Sequence, residues 1–87
     1  MKHATGAALE RLAGLLQQIR QKDGIKEPKP GIFYRKSKLF LHFHEDAAGL
    51  FADLSTGSEF DRYPVNTREG QRALSMAIDL ALQTGRD

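Results

Sequence analysis

The sequence contains no cysteine and no tryptophan among its 87 residues. Without cysteine, the chain cannot form a disulfide or a thiolate zinc site. Its apolar runs all fall short of the ~20 residues that a transmembrane helix needs, so we expect no membrane span. The length suffices for one domain, residues 1–87, with a modest core and little room for a deep internal cavity.

A domain of this size often supplements its small core with a disulfide, a metal ion or a second subunit. Since disulfides are excluded, self-association is the supplement that we expect first and a metal second. The N-terminal stretch MKHATGAALERLAGLLQQ has the lysine and the Ala/Leu run of a signal peptide. Glu10 and Arg11 interrupt that run, and its apolar residues recur at helical spacing. We therefore interpret it as mature structure and expect a cytoplasmic protein.

Charge is distributed unevenly along the chain, although the formal net charge is only +2. Between Arg20 and Lys38 there are seven basic residues and two acidic ones. Between Leu39 and Asp61 there are five acidic residues and neither lysine nor arginine. The sequence therefore predicts a basic segment followed by an acidic one.

Helical periodicity marks both ends of the chain. The first predicted helix runs from Ala4 to Lys22, and Gly24 is expected to adopt the left-handed conformation that ends helices. Its buried stripe consists of apolar residues at helical spacing: Leu9, Leu12, Ala13, Leu16 and Ile19, widened by Ala8 and Leu15.

The second predicted helix runs from Thr67 to Gln83 and is stopped by Gly85. Asn66 followed by Glu69 resembles a capping box with Asn in the place of Ser or Thr. The predicted buried stripe is again apolar: Leu74, Ala77, Ile78 and Ala81, joined by Leu82.

Residues 25–31, IKEPKPG, cannot be helical because of their two prolines, and we predict a short, stiff, basic connector. Apolar runs typical of strands follow at Gly31–Arg35 and Lys38–Glu45. Residues 46–49 are predicted to form a four-residue hairpin loop, after which Leu50–Ser55 returns beside the second run.

Strand alternation divides the hairpin into two faces. One face is predicted to be apolar: Leu39, Leu41 and Phe43 with Leu50, Ala52 and Leu54. The other carries Phe40, His42, His44, Phe51 and Asp53. This register puts Asp53 directly opposite His42, whereas a slip of one residue would move Asp53 among the leucines.

Phe60–Val65 also alternates and is predicted as a third strand, with its buried face left open. Pro64 requires either that this strand lies at an edge or that the proline falls among its last residues. The predicted fold class is therefore α+β, a helix, a three-stranded antiparallel sheet and a helix (αβββα). Pairing the first two runs across Lys36 and Ser37 places Phe33 opposite Phe40, with Arg35 nearby.

If both helices cover the leucine face, three phenylalanines (Phe33, Phe40 and Phe51) remain on an uncovered face beside His42 and His44. Monomeric proteins rarely expose apolar patches above a few hundred Å². Either one helix packs on each face, or a partner covers the patch. A second copy of the chain is the simplest partner, so these five residues form the predicted homodimer interface.

The sequence His42-Phe43-His44 projects two imidazoles to one side of a strand, roughly 6–7 Å apart, with Asp53 across from them. Two imidazoles and a carboxylate form a donor set that binds divalent metals. The alternative is a structural role in which Asp53 hydrogen-bonds to His42. We expect no catalytic activity and no cofactor, because the sequence has no nucleophile, phosphate-loop or dinucleotide motif.

The basic segment offers a further alternative. Lys26, Lys29, Arg35, Lys36 and Lys38, with Phe33 and Tyr34 between them, could follow a phosphate backbone. The modest net charge and the acidic 39–61 segment argue against nucleic-acid binding, and a solvated basic loop is the simpler interpretation.

The stretch from Pro30 to Asn66, with FLHFHEDAAGLFADL at residues 40–54 and the closing RYPVNT, resembles small bacterial proteins classed as domains of unknown function. The resemblance covers less than half of the chain. It implies a bacterial cytosolic origin and a strand–turn–strand unit, and it brings no activity or site residues. The leading functional hypothesis is a non-enzymatic interaction domain that self-associates through one sheet face. A metal- or small-ligand-binding module on His42, His44 and Asp53 is the alternative.

Overall fold

The computed structural model describes residues 2–4 and 6–84, apart from the side chains of Lys2, His3 and Thr84. The secondary-structure elements in chain order are β1 (Lys2–His3), α1 (Gly6–Arg11), α2 (Ala13–Arg20), β2 (Lys26–Lys29), β3 (Ile32–Arg35), β4 (Lys38–Asp46), β5 (Gly49–Ser55), β6 (Phe60–Pro64) and α3 (Arg68–Thr84). The predicted α+β class is confirmed.

The strands form one antiparallel sheet in the order β2-β3-β4-β5-β6, and the short β1 pairs with β4 off this path. The prediction of three strands is therefore wrong. Each of the four extended runs forms a strand of its own, and the proline-containing connector adds β2. Pro28 is tolerated there because β2 is an edge strand, where a missing N–H costs no ladder hydrogen bond.

The predicted N-terminal helix is divided in two at Leu12, whose φ of −105° and ψ of 15° are not helical. The Leu12 N–H donates to the carbonyl oxygen of Leu9, one residue closer than in an α-helix, which tightens the chain at this point. The predicted stripe is nevertheless buried, with Ala13 exposed and Leu9 half-buried as its exceptions. Gly24 has the predicted positive φ, at 96°.

The hairpin of β4 and β5 has the predicted register, with His42 opposite Asp53 and Phe43 opposite Ala52. Its loop is shorter than predicted, since Asp46 pairs with Gly49 and only two residues turn the chain. The Asp46 carboxylate accepts a hydrogen bond from the Ala48 N–H at 2.8 Å, an Asx turn that allows so tight a loop.

A β-bulge changes the pairing of β3 with β4. Tyr34 lies opposite Leu39 and Phe33 opposite Leu41, so Phe40 is the extra residue. The predicted pairing of Phe33 with Phe40 is therefore wrong. Leu39, opposite the exposed Tyr34, is half-buried and does not belong to the buried apolar cluster. Phe40 instead joins the buried apolar cluster, at 5% exposure, since a bulge re-aims the side chain that it inserts.

Both helical layers pack on one face of the sheet, the first of the two arrangements that the sequence allows. Lys22 at the end of α2 forms an ion pair with Asp79 of α3, and an added Cβ at Gly24 would contact Leu82. One cluster joins the buried residues of the helices and the sheet, among them Leu16, Ile19, Phe33, Leu41, Phe43, Leu74 and Ile78. We call this side of the sheet the core face and the other side the histidine face.

The loop before α3 departs from the predicted capping box. The Thr67 hydroxyl accepts a hydrogen bond from the Gly70 N–H at 3.1 Å and so caps the helix. The Asn66 side chain instead accepts from the Leu50 N–H and donates to the Leu50 carbonyl, joining this loop to the start of β5. The predicted stop at Gly85 lies outside the described residues.

Candidate metal centre

Two adjacent strands position the histidine cluster, which we define as His42, His44 and Asp53. The histidines project from β4 because they are two residues apart, and Asp53 faces them from β5 because it pairs with His42. The sequence pattern predicted this juxtaposition, and the structure has it.

The Asp53 carboxylate lies close to both rings. Its Oδ2 is 3.1 Å from His44 Nε2 and 3.9 Å from His42 Nε2. The two imidazoles stack with their centroids 5.2 Å apart and their planes at 28°. One donor atom from each of the three side chains lies within 4.8 Å of the other two.

The cluster is largely shielded from water. The side chains of His44, Asp53 and His42 are 7%, 12% and 19% exposed. The Phe60 ring stands edge-on to His42 at 5.5 Å between centroids. His44 Nε2 is buried, and Asp53 Oδ2 lies 3.1 Å from it. A buried ring nitrogen normally needs such a polar partner, so the carboxylate holds this side of the His44 ring toward the centre of the cluster.

Arg62 of β6 is the functional residue that sequence reasoning missed. It lies opposite Asp53, and its guanidinium donates to both carboxylate oxygens, from Nε to Oδ1 at 3.0 Å and from Nη2 to Oδ2 at 3.3 Å. The guanidinium also sits over the Phe51 ring, 5.9 Å from its centroid. The sequence does contain a signal for this contact. If β6 is paired with β5 across the 55–60 turn, Arg62 lies opposite Asp53, which is the acidic residue on the histidine face of β5.

These neighbours keep Asp53 ionised. Burial raises the pKa of the Asp53 carboxyl, but the hydrogen bonds from Arg62 and the proximity of the His44 ring lower it by more. The net pKa lies below the ordinary value for aspartate, so the group is a carboxylate at neutral pH. An ionised carboxylate beside two imidazoles provides one negative charge and two nitrogen donors.

The distances suit a small divalent ion. Ligand atoms about 2.0–2.1 Å from a tetrahedral zinc ion lie roughly 3.3 Å from one another. The 3.1 Å between Asp53 Oδ2 and His44 Nε2 already matches this edge. His42 Nε2 lies 3.9 Å from the same oxygen, so this ring must move closer to complete a three-ligand site.

The other predicted site residues are not gathered in one place. Phe33 and Phe40 are buried in the core, at 1% and 5% exposure, while Phe51 is half-buried on the histidine face. The predicted patch of three phenylalanines therefore does not exist as one surface. The β-bulge explains why the patch is absent, because it shifts the pairing at Phe33 and turns Phe40 inward.

The predicted basic residues divide into two groups. Lys26, Lys29, Lys36 and Lys38 are exposed. Arg35 is half-buried and donates to the carbonyl oxygens of Ala81 and Leu82 near the end of α3. Nucleic-acid binding through this segment stays a prediction.

Comparison with known proteins gave no relative: family models, curated proteins and solved structures were each searched without a match. The resemblance to small bacterial proteins of unknown function therefore stays a prediction. Within residues 2–4 and 6–84, the helices are too short or too polar to cross a bilayer.

Proposed function

We propose that this protein binds a divalent transition metal, of which zinc is the reference case, through His42, His44 and Asp53. The observation that carries the proposal is the convergence of two imidazole nitrogens and one carboxylate oxygen within 4.8 Å of one another. Their shielding from water supports it, since a low local dielectric strengthens the attraction between a cation and an ionised carboxylate.

The donor set narrows the choice of metal. Two nitrogens and one oxygen suit zinc, cobalt, nickel and copper, whereas magnesium and calcium prefer oxygen ligands alone. Three protein ligands also leave a fourth tetrahedral position for water or a small anion. The proposed site therefore resembles one that exchanges its metal or a bound ligand, and not a closed structural zinc site.

Arg62 acts on the proposed site through Asp53. Its Nε donates to Oδ1 at 3.0 Å and its Nη2 to Oδ2 at 3.3 Å, which fixes the carboxylate with Oδ2 facing the two imidazoles. Groups that hydrogen-bond to metal ligands fix their orientation, and losing one typically weakens metal affinity 10–100-fold. The same guanidinium also neutralises part of the carboxylate charge, so we expect micromolar rather than picomolar affinity.

The test is a zinc titration by calorimetry, with cobalt(II) absorption as a second readout of nitrogen and oxygen ligation. A metal that binds only the folded state at 100 times its Kd stabilises the fold by about 2.7 kcal/mol. For a domain this size that corresponds to a rise in Tm of roughly 10–20 °C.

Variants assign the ligands. His42→Ala, His44→Ala and Asp53→Asn should each remove the thermal shift and the cobalt spectrum. Asp61→Asn is the matched carboxylate control, because Asp61 pairs with Leu54 and so lies on the core face. His3→Ala tests the remaining histidine of the chain. A wild-type protein that shows neither a zinc-induced thermal shift nor a cobalt spectrum would refute the proposal.

Self-association through the histidine face is the second candidate. Both helical layers lie on the other face, while Phe51 is half-buried and Phe60 is 45% exposed. A second copy could cover these side chains. We expect Phe51→Glu to shift a dimer to monomer in sedimentation without lowering its Tm sharply. A wild-type monomer at high protein concentration would eliminate this candidate.

A further inference from the structure

A cleft of about 660 Å³ lies on the core face, between the sheet and the C-terminal half of α3. Binding sites for small molecules commonly measure 300–1,000 Å³ and combine apolar walls with a few placed polar groups. The cleft is on the opposite side of the sheet from the histidine cluster, and it shares no residue with the proposed metal site.

Small residues on the helix create the cleft. Leu74 and Ile78 fill the space between α3 and the sheet and are fully buried. One turn further along, Ala77 and Ala81 line the cleft, where larger side chains would close it. Leu80 also lines the cleft, and this apolar residue is 61% exposed.

The sheet side of the cleft is apolar because of the β-bulge. Phe40, the inserted residue, lines the cleft together with Leu54 and Tyr63. With regular pairing Phe40 would have pointed to the histidine face, as the alternation of β4 predicts. The bulge therefore places the Phe40 ring in the wall of the cleft, although only 5% of this residue is exposed.

The lining of the cleft also carries charge. Three of its residues are basic, Arg35, Lys36 and Lys38, and Asp61 is acidic. The Arg35 guanidinium is held over the Phe40 ring, 5.9 Å from its centroid, by its hydrogen bonds to the carbonyls of α3. The positive charge is therefore fixed beside the aromatic floor.

The turn that presents Lys36 is strained. Lys36 has a φ of 53° and Ser37 a φ of 69°, and both central residues of a type I′ turn need positive φ. Asn-Gly is the usual sequence for such a turn, because residues with a larger side chain are disfavoured there. Local irregularities of this kind are concentrated at binding sites. Here two of them, the turn and the bulge, contribute residues to one cleft.

We propose that the cleft binds an amphipathic monoanion, with its carboxylate at Lys36 and Lys38 and its apolar chain along Tyr63, Ala77 and Leu80. The occupant is a fatty-acid-type carboxylate, since the lining combines accessible apolar side chains with three cationic ones. A polyanion such as nucleic acid does not fit this arrangement, because much of the lining is apolar.

The probe is dodecanoate below its micelle concentration, titrated into isotope-labelled protein by NMR with calorimetry in parallel. We expect saturable shifts at residues 35–40, 54–57 and 77–81, with the signals of His42 and His44 unmoved. Butyrate keeps the carboxylate and removes the chain, and dodecyltrimethylammonium keeps the chain and reverses the charge. Both should bind at least tenfold more weakly.

Two variants separate charge from volume. Lys36→Gln/Lys38→Gln should weaken dodecanoate about tenfold, at roughly three- to fivefold for each exposed charge. Lys26→Gln/Lys29→Gln removes the same charge from β2 and should leave the affinity unchanged. Ala77→Leu should abolish binding by filling the cleft, and its Tm shows whether the fold is kept.

Three results would overturn the proposal. The first is the absence of saturable binding to the wild-type protein. The second is equal binding of the ammonium probe. The third is shifts centred on the histidine face, which would place the apolar site on the other side of the sheet.

Discussion

The turn at Lys36 and Ser37 stores strain that a substitution should release. Both residues have positive φ, in the region where an L side chain is crowded by its own backbone. We expect Lys36→Asn/Ser37→Gly to stabilise the protein, because Asn tolerates this region and Gly has no Cβ.

The magnitude follows from two opposing effects. A non-glycine residue in the left-handed region costs about 1–2 kcal/mol, so full relief at the new Gly and partial relief at the new Asn together amount to about 1.5–3 kcal/mol. The new glycine makes the unfolded chain more flexible, which cancels about 0.5–1 kcal/mol. The expected net gain of about 1–2 kcal/mol corresponds to a rise in Tm of roughly 5–12 °C for a domain this size.

Urea and thermal unfolding followed by circular dichroism measure this gain. Ala47→Asn/Ala48→Gly is the matched control, since residues 47 and 48 form another two-residue hairpin loop but do not have positive φ. The same pair of residues should give no gain there. Equal effects in both hairpins, or no gain in the first, would refute the strain. Ser37→Gly alone should keep Lys36 and the affinity for dodecanoate while providing part of the stabilisation.

Two further predictions concern the core and the edge of the fold. Gly70→Ala should destabilise the protein by about 1–2 kcal/mol, because a Cβ there would collide with the Pro64 carbonyl oxygen. Gly14→Ala in α2 should stabilise it by about 0.5–1 kcal/mol, because a Cβ at Gly14 meets open space. If urea unfolding showed stability changes of the same sign for both variants, the close approach of Gly70 to Pro64 would be contradicted. Burial raises the pKa of Glu27, but hydrogen bonds from Arg20 and the Gly31 N–H lower it by more, so its net pKa lies below the ordinary value. The stability that ionised Glu27 contributes is therefore present at neutral pH and is lost as the pH falls below 4.5. Glu27→Gln should lower the free energy of unfolding by about 1 kcal/mol at pH 7 and leave it unchanged at pH 2. A loss of stability that does not depend on pH, or the same pH profile in Glu10→Gln, would contradict the ion pair.

The face that carries the histidines could be predicted from the sequence, because one constraint decided it. Burying Leu41 and Phe43 forces His42 and His44 to the other side, and the hairpin then has a single register that keeps Asp53 away from the leucines. Alternation and burial are local in sequence, so they can be applied without the structure. Arg62 required the pairing of a further strand, whose buried face the alternating pattern alone did not decide.

The errors have one physical source, the pairing of neighbouring segments. A bulge adds one residue to one strand, and the apolar pattern of Leu39, Phe40 and Leu41 is equally apolar in either register. Periodicity therefore could not tell which of Leu39 and Phe40 faces the core. The Lys26–Lys29 segment was not recognised as a strand for a related reason. Proline excludes helix and the centre of a sheet, yet an edge strand tolerates it.

The two proposed sites share β4, and this arrangement has a consequence for how they could influence each other. The bulge at Phe40 lies two residues from His42, so the same strand carries the floor of the cleft on one face and two metal ligands on the other. Only a ligand that displaced the backbone of β4 at Phe40 would change the spacing of His42 Nε2 and Asp53 Oδ2, which is 3.9 Å. Coupling between sites is reciprocal, so zinc must change the affinity for dodecanoate by the same factor that dodecanoate changes the affinity for zinc. A factor of one in both calorimetric titrations is expected if the His42 and His44 signals stay unmoved, and a common factor different from one would show that the two sites are coupled.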